Sequence, residues 1–340
     1  MVRIGVVGAG WFASRRHLPE LVAHPEVELV ALCRRSPEPL AKLAEHFGVS
    51  KTYTDLDTML AQAQLDAVLI CSPHNLHHPQ AVACLAAGCH VLMEKPLALT
   101  GADARDLVAR AEAAGRVLEV AYNPPYWKHA RWLRERVQAG DFGAMETVDL
   151  RWSGNAAYLF GDEPLPESMP GLVRPTLYRG DAVANGGGHM ADAGCHPVAE
   201  VLFVTGEQAL SVTCDVDRLP DDRRYGLSMT LSGGGYAAIG SVADSPRPDR
   251  INTGLWSGSL ASALVVGRPG PFDILWMPAG CEPQWIRDAE LPAAPQPVAS
   301  FVDAILGRGE PQCPGHAAVA YVDIIEAAYQ SAASGLRMTF

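Results

Sequence analysis

The chain lacks any stretch of about 20 consecutive apolar residues, the length a helix needs to cross a bilayer. Its first residues, Val2-Arg3-Ile4-Gly5-Val6-Val7, read as a strand and not as a charged leader with a cleavage site. A cytoplasmic protein is expected. Positive charge is also in deficit: 27 Lys and Arg against 38 Asp and Glu leave a formal charge of −11. That is the wrong sign for a phosphate backbone or an anionic membrane surface, so neither nucleic acid nor membrane is expected as a partner. The eight cysteines contain no Cys-x-x-Cys pair, and several sit inside apolar runs such as 29–33 and 68–71, which predicts reduced packing thiols. Cys84, Cys89 and His90 find no further ligand at tetrahedral spacing, and no metal is expected. Internal repeats and low-complexity tracts are absent.

What is present suffices for two cores: 340 residues, 48% of them hydrophobic, at roughly 150 residues per domain. Up to Tyr122, short β-branched runs (3–7, 28–33, 67–71, 90–93, 117–121) alternate with Ala- and Leu-rich stretches of helical period. This predicts an α/β Rossmann domain over 1–122, a doubly wound parallel sheet with right-handed crossovers. Thr54-x-x-Asp57 and Thr100-x-x-Asp103 spell capping boxes that start two of its helices. Over 123–340 the texture changes to an amphipathic helix at 127–137 and alternation at 146–152, 210–216, 227–231, 236–242 and 260–266. An α+β domain with a large, mainly antiparallel sheet is expected, one that binds substrate and joins subunits. Gly233-Gly234-Gly235 and Gly267-Arg268-Pro269-Gly270 read as its hairpin turns. The Pro- and Gly-rich stretch 153–185 is too long for a simple connector and reads as a lid or binding loop.

Gly8-Ala9-Gly10-Trp11-Phe12-Ala13 follows the first strand and opens a helix, the context in which G-x-G-x-x-A has a physical meaning. Gly8 permits the tight turn, Gly10 lets the backbone approach a pyrophosphate, and Ala13 keeps helix and strand close while Trp11 and Phe12 lie at the helix start. A carboxylate for the ribose 2′-hydroxyl is missing at the end of the second strand, which runs into Arg34-Arg35-Ser36. Two guanidiniums and a hydroxyl suit a 2′-phosphate, so NADP is expected ahead of NAD; the alternative is a pair of solvated arginines.

Three further motifs stand out: Cys71-Ser72-Pro73-His74-Asn75-Leu76-His77-His78-Pro79, Met93-Glu94-Lys95-Pro96, and the run Gly186-Gly187-Gly188-His189-Met190-Ala191-Asp192-Ala193-Gly194-Cys195-His196. Together with 327–332 near the end of the chain, they resemble the Gfo/Idh/MocA oxidoreductases, and the resemblance covers essentially the whole sequence. It implies that Lys95, Asp192 and His196 line a catalytic pocket and that Ser72, Pro73, His74, His77, Glu94 and Lys95 border the cofactor. The residue chemistry agrees. A Lys beside the nicotinamide can hold the reacting oxygen, a His can exchange the hydroxyl proton near neutral pH, and Asp192, four residues before His196, shares its face on a regular helix. Pro197 weakens that last inference, because it disfavours helical geometry at His196.

Two positions depart from the family pattern. His74 stands where Asn is usual, and Pro125 in Tyr122-Asn123-Pro124-Pro125-Tyr126 stands where relatives often place Arg. Arg174 and Arg179 are candidates to replace that Arg, with Asn123 as a further substrate contact and Tyr178 and Trp152 as stacking walls for a sugar ring. The resemblance implies an NAD(P)-dependent enzyme acting on a sugar, a sugar derivative or a cyclic polyol, assembled as a homodimer or homotetramer through the second sheet. An aromatic diol dehydrogenase, an imine or tetrapyrrole reductase, and a dinucleotide-sensing regulator remain alternatives on the same scaffold.

Overall fold

Six short strands in the first third of the chain, β1 (Val2–Val7), β2 (Val27–Cys33), β3 (Lys51–Tyr53), β4 (Ala67–Ile70), β5 (His90–Met93) and β6 (Leu118–Val120), pair in the order β3-β2-β1-β4-β5-β6. Every pair is parallel. This is the doubly wound Rossmann order, in which the strand order reverses between β1 and β4 and opens a crevice at the strand C-termini. β3 was not expected; it is a three-residue edge strand with Lys51 and Thr52 exposed, too short and too polar to show a period. The computed structural model describes residues 1–246, 250–268 and 271–340. Pro269 and Gly270 of the second expected turn therefore lie outside the described residues, whereas Gly234, with φ +93°, turns the chain between the strands at 224–231 and 236–242.

Contacts group the chain into two units, one of Met1–Ala121, Leu159–Gly186 and Pro295–Val322, the other of Tyr122–Tyr158, Gly187–Ala294 and Asp323–Phe340. A linear split after 122 therefore does not describe how the chain packs: two later segments return to the first unit. Helix Pro297–Ile305 returns because Val298, Phe301 and Val302 bury against Val2, Ile4, Leu18 and Leu21 in the first core. The loop returns through Trp11, whose Nε1 donates to Pro170 O at 2.6 Å, and through Leu172 N–H, which donates to Ser14 Oγ at 3.0 Å.

Two local expectations need correction. The helix opened by the glycine turn is broken into Trp11–Arg15 and His17–Ala23, with Arg16 at φ −127°. Pro19 explains the break, since a continuous helix would drive its ring into the Arg15 carbonyl four residues earlier. Thr100 caps its helix by accepting from Asp103 N–H at 3.1 Å, but the other cap is Asp55 and not Thr54: its Oδ1 accepts from Thr58 N–H at 2.8 Å. A carboxylate serves better there because it also answers the positive end of the helix dipole.

The second unit holds β7 (Met145–Ser153), β8 (Ala209–Val216), β9 (Arg224–Leu231), β10 (Tyr236–Val242), β11 (Ile251–Gly258), β12 (Ala261–Gly267), β13 (Phe272–Pro278), β14 (Gln284–Ile286) and β15 (Met338–Thr339), in the order β14-β13-β12-β11-β7-β10-β9-β8-β15. All neighbours are antiparallel except β7 and β10. Helices Lys128–Gln138 and Cys195–Thr205 pack on one face, over fully buried Trp256. The register aligns Leu255, Leu264, Leu275 and Trp285 across β11 to β14 on the opposite face, where Leu255 and Trp285 remain 41% and 47% exposed.

No helix among the described residues is long and apolar enough to cross a membrane. All eight cysteines are free thiols, and Cys281 alone is exposed, so it is not a packing thiol.

Candidate active site

The C-terminal ends of β1, β2, β4 and β5 carry the residues singled out in the first unit. Gly8 leaves β1 with φ +73°, and a Cβ there would lie 2.5 Å from Cys71 C and 2.6 Å from Ser72 Cα, the backbone leaving β4. Only glycine fits. Arg34, just past β2, donates from Nη1 to Ala9 O at 3.0 Å, so its guanidinium lies across the glycine turn. Its Nε is buried with no hydrogen-bond partner among the described residues, while Arg35 and Ser36 are exposed. Trp11 is buried under the loop contact, and Arg15 stacks over Trp11 and Phe12 at 5.0 and 5.7 Å.

Past β4, His77 is fully buried with Nδ1 2.6 Å from Pro96 O and Nε2 3.0 Å from Ser72 O. The ring thus lies between the β4 exit and the β5 exit, within hydrogen-bond reach of a carbonyl from each. Burial pushes its pKa down, against the two carbonyls that favour the charged ring. His74 is 2% exposed; its Nδ1 lies 2.9 Å from Asn185 O, and Tyr178 packs edge-on at 5.4 Å.

Past β5, Glu94 is buried and Lys95 half-buried, joined to Pro96 by a cis peptide. Glu94 Oε1 is 2.7 Å from His17 Nε2, and Oε2 accepts from Lys95 N–H at 3.2 Å. Burial alone would raise the Glu94 pKa; the His17 hydrogen bond and the charges of His17, Lys95 and Arg16 outweigh it and hold the carboxyl at about 2, below the ordinary 4.5. A depressed folded-state pKa stabilises the fold above the unfolded value and loses that contribution as pH falls through the folded one. The stability gap between wild type and Glu94→Gln, measured by urea unfolding across a pH series, is therefore expected to be full above about pH 4.5, on the order of 3 kcal/mol, and to close towards pH 2. A gap independent of pH in that window would refute the pairing.

In the second unit, His196 is 8% exposed and enclosed by aromatic rings. Trp152 stacks on it at 6.2 Å and 25°, Tyr122 meets it edge-on at 6.2 Å, and Trp127 lies at 6.4 Å. Asn123 N–H points at His196 Nδ1 at 3.5 Å, and Asn123 Nδ2 is 3.3 Å from Nε2. Each ring nitrogen of His196 thus faces a nitrogen of Asn123. Asp192 is half-buried and does not share a regular helix with His196: Met190–Gly194 is a π-helical turn that feeds helix Cys195–Thr205. The wider turn alters the four-residue relation assumed from the sequence. Pro197 is the third residue of that α-helix, directly after the π-helical turn.

Residues 2–122 match the model of the Gfo/Idh/MocA family, described as an oxidoreductase family with an NAD-binding Rossmann fold. Those residues carry that family's NAD-binding domain. It is 29% identical over 209 residues to D-glucoside 3-dehydrogenase of Escherichia coli, covering 62% of this chain and 55% of that one. It is 27% identical over 349 residues to 1,5-anhydro-D-fructose reductase of Ensifer adhaerens, covering 98% and 97%. Several curated relatives are matched over only about half their length, 47 to 57%. The WlbA dehydrogenase of Bordetella pertussis, solved with NADH and UDP-GlcNAcA, shares the fold at a TM-score of 0.84 and 22% identity, over 100% of this chain and 98% of that one.

The positions singled out as replacements have identifiable surroundings. Arg174 donates to Leu165 O and Pro166 O at 3.3 and 2.7 Å and is exposed, so it braces its own loop. Arg179 stacks over Tyr178 at 4.7 Å, so these two residues stand with His74 in the first unit, whereas Asn123 and Trp152 stand with His196 in the second. His17 was missed from sequence: one His inside an apolar helix carries no signal until the break at Arg16 turns it onto Glu94.

Proposed function

We propose that the chain is a cytoplasmic NAD(P)-dependent oxidoreductase that moves hydride between nicotinamide and a hydroxyl or carbonyl carbon of a sugar, sugar derivative or cyclic polyol. The observation that carries the reading is the gathering of the Gly8 turn, Arg34, Ser72 and Lys95 at the C-terminal ends of β1, β2, β4 and β5, beside the point where strand order reverses. Gly8 and Gly10 keep the turn free of side chains, and the unpartnered Nε of Arg34 offers a buried donor to an anion, so the residues fit a dinucleotide phosphate. When bound, the nicotinamide ring supplies the hydride acceptor or donor. Lys95 holds the substrate oxygen by charge and hydrogen bond as a carbonyl forms or disappears, His196 takes or returns the hydroxyl proton, and Asp192 orients the substrate. Trp152 and Asn123 hold the imidazole in place. NADP is preferred because Arg34 replaces the usual carboxylate. The family relatives named for glucoside and anhydrofructose chemistry support the substrate class. A steady-state panel of sugars, cyclic polyols, aromatic diols and cyclic imines with both dinucleotides tests the reading: turnover confined to sugars or polyols is expected, and turnover confined to aromatic or imine substrates would overturn it.

The enzyme works as a homodimer or homotetramer through the open face of the second sheet. Leu255, Leu264, Leu275 and Trp285 form an apolar row that a second copy would cover. Light scattering at micromolar concentration is expected to give a multiple of 36.3 kDa; a monomer would refute the assembly.

A further inference from the structure

The run 186–196 carries two of the proposed active-site residues, and the start of its helical part has an unusual support. A helix start leaves backbone N–H groups without intrahelical acceptors, and His189, at the head of the π-helical turn, caps none of them with its side chain. Two side chains from distant parts of the second unit do so. Tyr329 Oη accepts from Gly188 N–H at 3.0 Å and from Ala191 N–H at 3.1 Å, and gives its one proton to Asp222 Oδ1 at 2.6 Å. Asp222 Oδ2 accepts from Met190 N–H at 2.8 Å, and the Asp222 carbonyl accepts from His189 N–H at 2.7 Å. Four consecutive N–H groups, 188 to 191, are thereby held by one tyrosine and one aspartate, and Asp222 is fully buried. The glycines make room for this: a Cβ on Gly187 would collide with the Tyr329 ring, 2.6 Å from Cζ, and one on Gly188 would strike the Asp222 backbone.

We propose that Tyr329 and Asp222 are positioning residues for the hydride transfer, fixing the π-helical turn and with it the angle between Asp192 and His196. The proposal rests on the role given to those two residues above. A π-turn is uncommon and holds only where its surroundings impose it. Here the imposed contacts end one residue before Asp192 and five before His196, so relaxation of the turn rotates one functional side chain against the other. Neither Tyr329 nor Asp222 needs to touch substrate for this to matter, because a displacement of about 1 Å at a reacting group lowers turnover by roughly 10²-fold.

Tyr329→Phe removes a single oxygen. It is expected to lower kcat by about 10²-fold, leaving KM and the affinity for the dinucleotide within roughly threefold. Amide hydrogen exchange over 188–191 should accelerate by at least about tenfold, with β1 to β6 unchanged. Asp222→Asn, which keeps the shape but loses an acceptor for Met190 N–H, should show the same split and serves if the first variant folds poorly. Faster exchange with wild-type kcat, unchanged exchange, or failure of both variants to fold would each overturn the positioning role. The parent reading is judged separately, on whether the wild type turns over any sugar or polyol.

Discussion

Lys95→Met is expected to lower kcat by about 10²–10³ while the affinity for the nicotinamide dinucleotide stays within a few fold. The side chain keeps its length and loses its charge, so what disappears is the interaction with an oxygen that gains or sheds negative character during transfer. Lys95 is suited to the task because it lies two residues past β5 and its backbone N–H is tied to Glu94 Oε2, while Glu94 Oε1 is anchored by His17. The ammonium therefore leaves a rigid strand end. A variant that kept more than half of wild-type kcat would remove Lys95 from the chemistry, whatever else it did to stability.

Arg34→Ala should narrow the preference for NADP(H) over NAD(H) by roughly 10- to 100-fold, since a charge-assisted contact with phosphate contributes about 1.5–3 kcal/mol. The change is expected mostly in the NADPH dissociation constant, measured by fluorescence titration. Arg34 also holds the Ala9 carbonyl, so some loss of NADH affinity should accompany it. Arg34→Lys keeps charge without the fork and should fall between the two. Equal affinity of the wild type for both dinucleotides, or a ratio untouched by Arg34→Ala, would show that Arg34 only braces the glycine turn.

The parallel sheet was legible because its inner strands are buried on both faces and so read as unbroken apolar runs; β4, Ala-Val-Leu-Ile, is the plain case. In the second sheet, Gly254 interrupts the alternation of β11 and the nearly continuous apolar run of β13 hides its period, so both were overlooked. The Rossmann motif residues could be placed because Gly8 answers a local backbone demand. His17, Asn185, Asp222 and Tyr329 could not: their partners lie 77, 111 and up to 141 residues away. The loop at 153–185 was recognised by its length, yet nothing in its composition says that Trp11 would hold it at Pro170.

Hydride transfer between a dinucleotide and a carbinol carbon leaves an isotopic trace. Incubating the wild type with NADP and a panel of cyclic polyols and sugars deuterated at each carbinol position, followed by mass spectrometry of the cofactor, tests it directly. Deuterium is expected on the nicotinamide ring with one class of sugar or polyol and none with Lys95→Met. Tight dinucleotide binding with no isotope transferred from any of them would contradict it and leave a sensor in place of an enzyme.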